Sequence, residues 1–200
     1  MKILVACEYS GRVRDAFIAL GHDAISCDLL PTDSPGPHYQ GDVRDLLYTP
    51  GWDLMVAHPP CTDLATSGNA HMKKKIADGR VDASLAFVRL LLNAPIPRIA
   101  VENPRSIISS RIRPADQLIH PWQFGHGEQK ATCLWLKNLP QLVPTDVVEG
   151  REQRLYNLSP SETRWKERSE TFPGIAAAMA AQWSRPGAVQ TDIFDVLGVA

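Results

Sequence analysis

What the 200-residue chain lacks narrows its reading first. It has no excess of either charge, with 21 Lys and Arg against 22 Asp and Glu. A bulk basic surface is thereby excluded, so any nucleic acid must be held by local basic patches. The strongly acidic, disordered class is excluded as well. Cysteine is sparse: Cys7, Cys27, Cys61 and Cys133 form no C-x-x-C pair and have no histidine spaced to complete a zinc pattern. That pattern predicts reduced thiols in an intracellular protein, with no metal. No apolar run approaches 18 residues, and Met1-Lys2 opens on a stretch too short for a signal peptide. A cytoplasmic location away from membranes is expected. Repeats and low-complexity blocks are missing too, which predicts a single domain over residues 1–185 with a tail over 186–200.

What is present alternates. Residues 2–6 read as a buried strand. Val13, Phe17 and Leu20 after Gly11 mark one helix face, closed by Gly21. Residues 22–27, 53–57, 98–102 and 132–136 read as further strands. Helices are expected over 78–93, with Val81, Leu85, Val88 and Leu92 on one face, and over 172–183, with Pro173 in its first turn. Residues 41–47 suit a short helical turn. The Pro- and Gly-rich stretch 31–41 reads as loop, residues 62–77 show no periodicity, and Asn103-Pro104 reads as the cap of a helix. Alternating strands and helices predict an α/β fold with a mostly parallel sheet and helices on both faces.

Ligands of such sheets bind outside the carboxyl ends of the strands. The unusual residues of this chain fall there: Glu8 to Gly11, Asp28, His58 to Cys61, and Glu102 to Pro104. In His58-Pro59-Pro60-Cys61 the two prolines remove amide donors and hold the chain extended, so the next side chain projects from the sheet edge as a nucleophile would. A thiol there needs a cation or a helix N-terminus to ionise, and Lys73, Lys74 and Lys75 are the cations following in sequence. Cys7, Cys27 and Cys133 lie in apolar runs and read as buried small hydrophobes. Glu102 at a strand end serves as a proton donor if an apolar pocket raises its pKa. Trp135 reads as core, and Trp122 is free to stack.

Several segments, in order, resemble the DNA cytosine-5 methyltransferase family, and most closely its compact phage and prophage members. They are VACEYSGRVRDAF (5–17), Asp28, GDVRDL (41–46), HPPC (58–61), VENP (101–104), KATCLWLKNLP (130–140) and TFPGIAAAMAAQW (171–183). The resemblance implies a Rossmann-like methyltransferase fold, S-adenosylmethionine as cofactor, and DNA as partner, either duplex with the target base flipped out or single-stranded. It makes Cys61 the nucleophile that adds to C6 of cytosine and Glu102 the group at N3, with Pro60 and Asn103 completing the two motifs. It places Cys7, Glu8, Tyr9, Ser10 and Gly11 around the methionine part, Asp28 on the ribose hydroxyls and Asp42 on the adenine amine. Val43, His58 and Pro59 complete the cofactor contacts. Ser67, Lys73, Lys74, Lys75, Lys130 and Thr132 fall to the substrate.

The chain departs from that family in four ways. Gly11 is the lone glycine of its first motif, Pro104 follows Glu-Asn, only Lys130 with Thr132 stand where the later motif offers arginines to the base, and only residues 141–171 stand where full-length relatives carry a long target-recognition insert. A short or relaxed target sequence is therefore expected. A homodimer is one way for so small an enzyme to hold DNA. The alternative readings are C5 modification of a free cytosine nucleotide or RNA base, and a non-catalytic DNA-binding subunit with this fold.

Overall fold

The structure is a computed structural model that describes residues 1–159, 161 and 164–184. The expected tail over 186–200 lies outside the described residues. Seven strands form one sheet in the order β3-β2-β1-β4-β5-β7-β6. They are β1 (Lys2–Ala6), β2 (Asp23–Asp28), β3 (His38–Gln40), β4 (Leu54–Ala57), β5 (Arg98–Pro104), β6 (Gln117–Ile119) and β7 (Thr132–Lys137). The first five run parallel, and β7 is antiparallel to both β5 and β6. This is the Rossmann-like α/β architecture expected from the alternation of elements.

Side chains of the central strands divide between two cores, as the two-residue period of a strand requires. On one face Leu4, Met55 and Val101 pack with Val81, Leu85, Val88 and Leu91 of α3 (Arg80–Leu92). On the other Ile3, Val5, Val56 and Ala100 pack with Val13 and Phe17 of α1 (Arg12–Ala19) and with Ile175, Met179 and Trp183 of the C-terminal helix (Pro173–Trp183). Each large apolar side chain buried this way contributes about 1.5–3 kcal/mol. Helices thus cover both faces, which is why β1 and β4 read as unbroken apolar runs. Leu91, and not the expected Leu92, is the fully buried residue in the last turn of α3. Trp135 is fully buried, as expected.

Local chemistry explains where the elements start. Gly11, at φ +73°, precedes α1 and has no side chain to cap it. Glu8 caps in its place, accepting from the backbone N–H of Val13 at 2.7 Å and of Arg14 at 3.2 Å. A carboxylate at a helix N-terminus also meets the positive end of the dipole. Gly174 opens the C-terminal helix because a Cβ there would run into the carbonyl of Phe124.

Three expectations are corrected. Asn103 and Pro104 cap no helix; both belong to β5 and pair with Cys133 and Thr132. The stretch 31–41 ends in strand β3, whose polar sequence carries no apolar alternation. Residues 62–77 contain a 3-10 turn (Thr66–His71) and helix α2 (Met72–Ala77). Strand β6 was not expected at all, since three residues are too few to show a period. No described helix is long and apolar enough to cross a membrane.

Candidate active site

The parallel register Ala57↔Val101 sets the ends of β4 and β5 side by side, so His58 and Glu102 emerge as neighbours. Antiparallel β7 starts at the same edge, with Thr132 opposite Pro104, and this places Lys130, just before the strand, at the site. His58 Nδ1 and Glu102 Oε2 are 3.0 Å apart, and both side chains are almost wholly buried. Burial pushes the Glu102 carboxyl up, but the hydrogen bond and charge of His58 and the charge of Lys130 outweigh it and hold Glu102 below its ordinary range. The expectation of a raised Glu102 is reversed, because the pocket that buries it also supplies cations.

Burial acts to lower His58, yet the bond to Glu102 and the charges of Glu102 and Glu8 leave it raised above the ordinary histidine range. Cys61 is half-buried, and burial together with Glu102 holds its thiol above the ordinary cysteine range, with Lys130 and Arg168 offsetting this only in part. The cations that act on Cys61 are therefore Lys130 and Arg168. Lys75 is buried and spent on the carbonyl of Thr62 and on Asp63, while Lys73 and Lys74 are exposed on α2. Arg80 pairs with Asp63 and Asp78.

Asn103 has a structural use that its position in the sequence did not reveal. Its Nδ2 donates to the carbonyl of Pro59 at 2.8 Å, tying the double proline to β5, while its buried Oδ1 has no partner among the described residues. Pro59 itself is buried and Pro60 exposed. The chain after Cys61 is pinned by Thr66 N–H to the carbonyl of Arg105 and by Ile107 N–H to that of Leu64. Cys61 thus sits on a braced turn.

Beside this cluster a cavity of about 230 Å³ opens at the carboxyl ends of β1, β2 and β4, where strand order reverses. Cys7, Asp28, Asp42, Val43 and Pro60 line it, with Cys27, Leu29, Gly41, Arg44 and Phe87. Cys7 holds φ +57°, a conformation that costs a side-chain-bearing residue about 1–3 kcal/mol and is concentrated at functional sites. Its thiol is driven far up by burial and by Asp28, and burial with Asp28 pushes Cys27 up to about 12. Neither thiol ionises. Asp28 accepts from Leu30 N–H through Oδ1, and its Oδ2 has no hydrogen bond among the described residues. Asp42 is engaged by both the backbone N–H and the guanidinium of Arg44, each at 2.9 Å. An acid with an oxygen to spare, flanked by Leu29, Val43, Pro60 and Phe87, fits a nucleoside: a diol for the carboxylate and an apolar slot for the base.

No family model matches the chain, and no curated protein matches it. Among solved structures it is similar to a candidate DNA modification methyltransferase encoded within a prophage, from E. coli. The identity is 12% and the TM-score 0.49, over 80% of this chain and 55% of that one. The chain spans little more than half the length of that protein.

The remaining sequence candidates lie around the cavity, not in its lining. Glu8 is buried as the cap of α1, and Ser10 bonds to its carboxylate. The Tyr9 hydroxyl is 2.8 Å from Ser169 Oγ. Gly11 shapes the turn into α1. Thr132 is buried and donates weakly to the carbonyl of Lys130, while Ser67 is exposed. Arg151 covers the face of Trp122, 3.8 Å from its centre, so that ring is not free. The helix Arg164–Ser169 was missed by the sequence reading, and it packs against Tyr9 and Lys130 beside the site. Lys130 Nζ donates to the carbonyl of Arg168 at 2.8 Å, and Lys166 pairs with Asp33 at 3.1 Å. The mixed Arg and Glu of that segment gave no sign of this, because the contacts are long-range and largely to backbone.

Proposed function

We propose that the protein is an S-adenosylmethionine-dependent methyltransferase that modifies cytosine at C5 in DNA through a covalent Cys61 adduct. The observation that carries this reading is the grouping of Cys61, Glu102, His58 and Lys130 at one sheet edge, next to a cavity with the chemistry of a nucleoside site. A binding module has no need of a cysteine after a braced double proline coupled to a buried carboxylate.

The bound cofactor would supply an electrophilic methyl group on sulfur. Asp28 would take the ribose hydroxyls, Leu29, Val43, Pro60 and Phe87 would flank the adenine, and the Glu8–Gly11 turn would face the methionine part. Cytosine C5 is a weak nucleophile until C6 is saturated. Cys61 Sγ adds to C6, and the C5=C6 electron pair shifts through C4 to N3, which takes a proton from the Glu102 side. C5, now the nucleophilic end of an enamine, accepts the methyl group. The C5 proton then leaves to solvent, the C6–S bond breaks, the double bond reforms and N3 returns its proton. Glu102 would face the charge developing at N3, and Lys130 and Arg168 would act for the thiolate against the burial that raises it. A base in a duplex stack must be extruded to reach Cys61.

Incubation with labelled S-adenosylmethionine and duplex DNA, single-stranded DNA or dCMP tests the reading directly. Label should appear at cytosine C5 with the wild type and not with Cys61→Ala. DNA containing 5-fluorocytosine should trap a protein adduct, since fluorine cannot leave as a proton. Equal transfer by Cys61→Ala, or transfer to an exocyclic amine, overturns it.

A further inference from the structure

Glu102 poses a problem that the proposed chemistry must meet. N3 needs a proton when Cys61 adds, yet Glu102 is hydrogen-bonded to His58, feels the charge of Lys130 and is held below its ordinary range. A carboxylate alone has no proton to give. The group in contact with it does, since His58 Nδ1 lies 3.0 Å from Glu102 Oε2 inside the protein.

We propose that His58 is the proton reservoir for Glu102, so that the two side chains act as a relay to the cytosine ring instead of Glu102 acting as a lone carboxylic acid. This rests on the C5 reading above. As the C6–S bond forms, Glu102 takes the proton from His58 Nδ1 and passes it to N3. The Nδ1–H bond breaks, the N3–H bond forms, the imidazolium becomes neutral imidazole and Glu102 ends as a carboxylate. When Cys61 leaves, N3 returns the proton along the same route. His58 acts through Glu102 and is a positioning residue.

Three observations support the relay. The His58 backbone is fixed on both sides: its N–H donates to the carbonyl of Ala6 at 2.9 Å, and the carbonyl of Pro59 is held by Asn103. The ring is bound on one side only, because the buried Nε2 has no hydrogen-bond partner among the described residues. Glu102 is thus the one described hydrogen-bond partner of the ring, which gives the Nδ1 proton a single described acceptor. The groups that face it also balance. Glu102 on β5 and Glu8 after β1 favour the imidazolium, and Lys130 before β7 and burial oppose it, which keeps the proton transferable.

The test is the pH dependence of the turnover number at saturating donor and DNA, for wild type, His58→Gln and His58→Asn. Wild-type turnover should fall on the alkaline side as His58 loses its proton. At pH 8 each variant should lose roughly 100-fold, the lower bound for removal of a general acid. Toward pH 5.5 the variants should regain at least about ten-fold as Glu102 acquires its own proton, since a relay carboxylate can be protonated from water once its cation is gone. Acid rescue is a response that a packing defect does not give. A uniform loss at every pH, or an unchanged profile, overturns the relay. Should the variants fail to fold by circular dichroism, the 15N-histidine titration of the wild-type protein decides: a His58 pKa above that of free histidine supports the relay, and one at or below it overturns it. Absence of wild-type transfer to cytosine instead removes the C5 reading itself.

Discussion

The two halves of the proposed site, one for a methyl donor and one for an acceptor base, are built on different principles. On the donor side, the cavity lined by Cys7, Asp28, Val43, Pro60 and Phe87 is a matter of shape, with thiols that do not ionise and one carboxylate oxygen left over. On the acceptor side, His58, Cys61, Glu102 and Lys130 shift one another's protonation, and nearly every group is tied to another. A binding pocket need only persist, whereas a reacting one must hold protons at stated atoms. Substitutions on the two sides should therefore separate binding from turnover, and failure to separate would break the comparison.

The largest separation is expected at Glu102. Glu102→Gln keeps the shape but cannot carry a proton, so turnover should fall by roughly 10²–10⁴-fold. The Kd for S-adenosylhomocysteine, measured by calorimetry, should stay within about three-fold, because weakening beyond about 0.65 kcal/mol would mean that the two sides share contacts. A large loss of affinity would merge the two regions.

The acceptor side also carries stability that the donor side does not. Removing one partner of a buried pair strands the other, so His58→Ala should lower the unfolding free energy by about 3 kcal/mol in urea. Glu102 is depressed in the fold, so its contribution is present above the ordinary carboxylate pKa and is lost as pH falls through its folded value. His58 is raised, so its contribution is complete below the ordinary histidine pKa and is lost as pH rises through its folded value. The wild type should gain most over His58→Ala between those limits, near pH 5–6. A difference that keeps growing at pH 9 would contradict the pairing.

The same contrast explains what could be read from the sequence. Strand ends are legible, because apolar runs followed by Glu8, Asp28, His58 and Glu102 need only the period of a strand and the rule for parallel sheets. The elements that escaped, β3, β6, α2 and the helix Arg164–Ser169, are too short for a period to develop. Which cation serves Cys61 was also illegible. Lys73–Lys75 stand out as a run, but a helix turns successive residues outward or inward, and Lys75 is drawn onto Thr62 and Asp63. Lys130 reaches the site through the antiparallel return of β7, a tertiary fact. The His58–Glu102 bond depends on the register of two strands and could be inferred only once that register was fixed.

On the donor side, Asp28→Ala should weaken S-adenosylhomocysteine by about ten-fold, some 1.4 kcal/mol, as expected for losing hydrogen bonds to a charged acceptor. Turnover at saturating donor should remain. A fall in turnover without a change in Kd would place Asp28 on the wrong side of the comparison.

The smallest effect belongs to the outer edge, where neither principle operates. Lys73 and Lys74 are exposed on α2 and form no ion pair among the described residues. They can meet a polymer only as point charges against phosphate, which raises affinity without reading sequence. Lys73→Gln with Lys74→Gln should weaken duplex or single-stranded DNA by only a few-fold at low salt, and each lost contact should lower the slope of log affinity against log salt by about one. Methylation of dCMP, if the protein accepts it, should be untouched, since a mononucleotide does not extend to α2. The salt slope is the sharper readout because it counts phosphate contacts whatever the absolute affinity. An unchanged slope would show that DNA does not approach over α2.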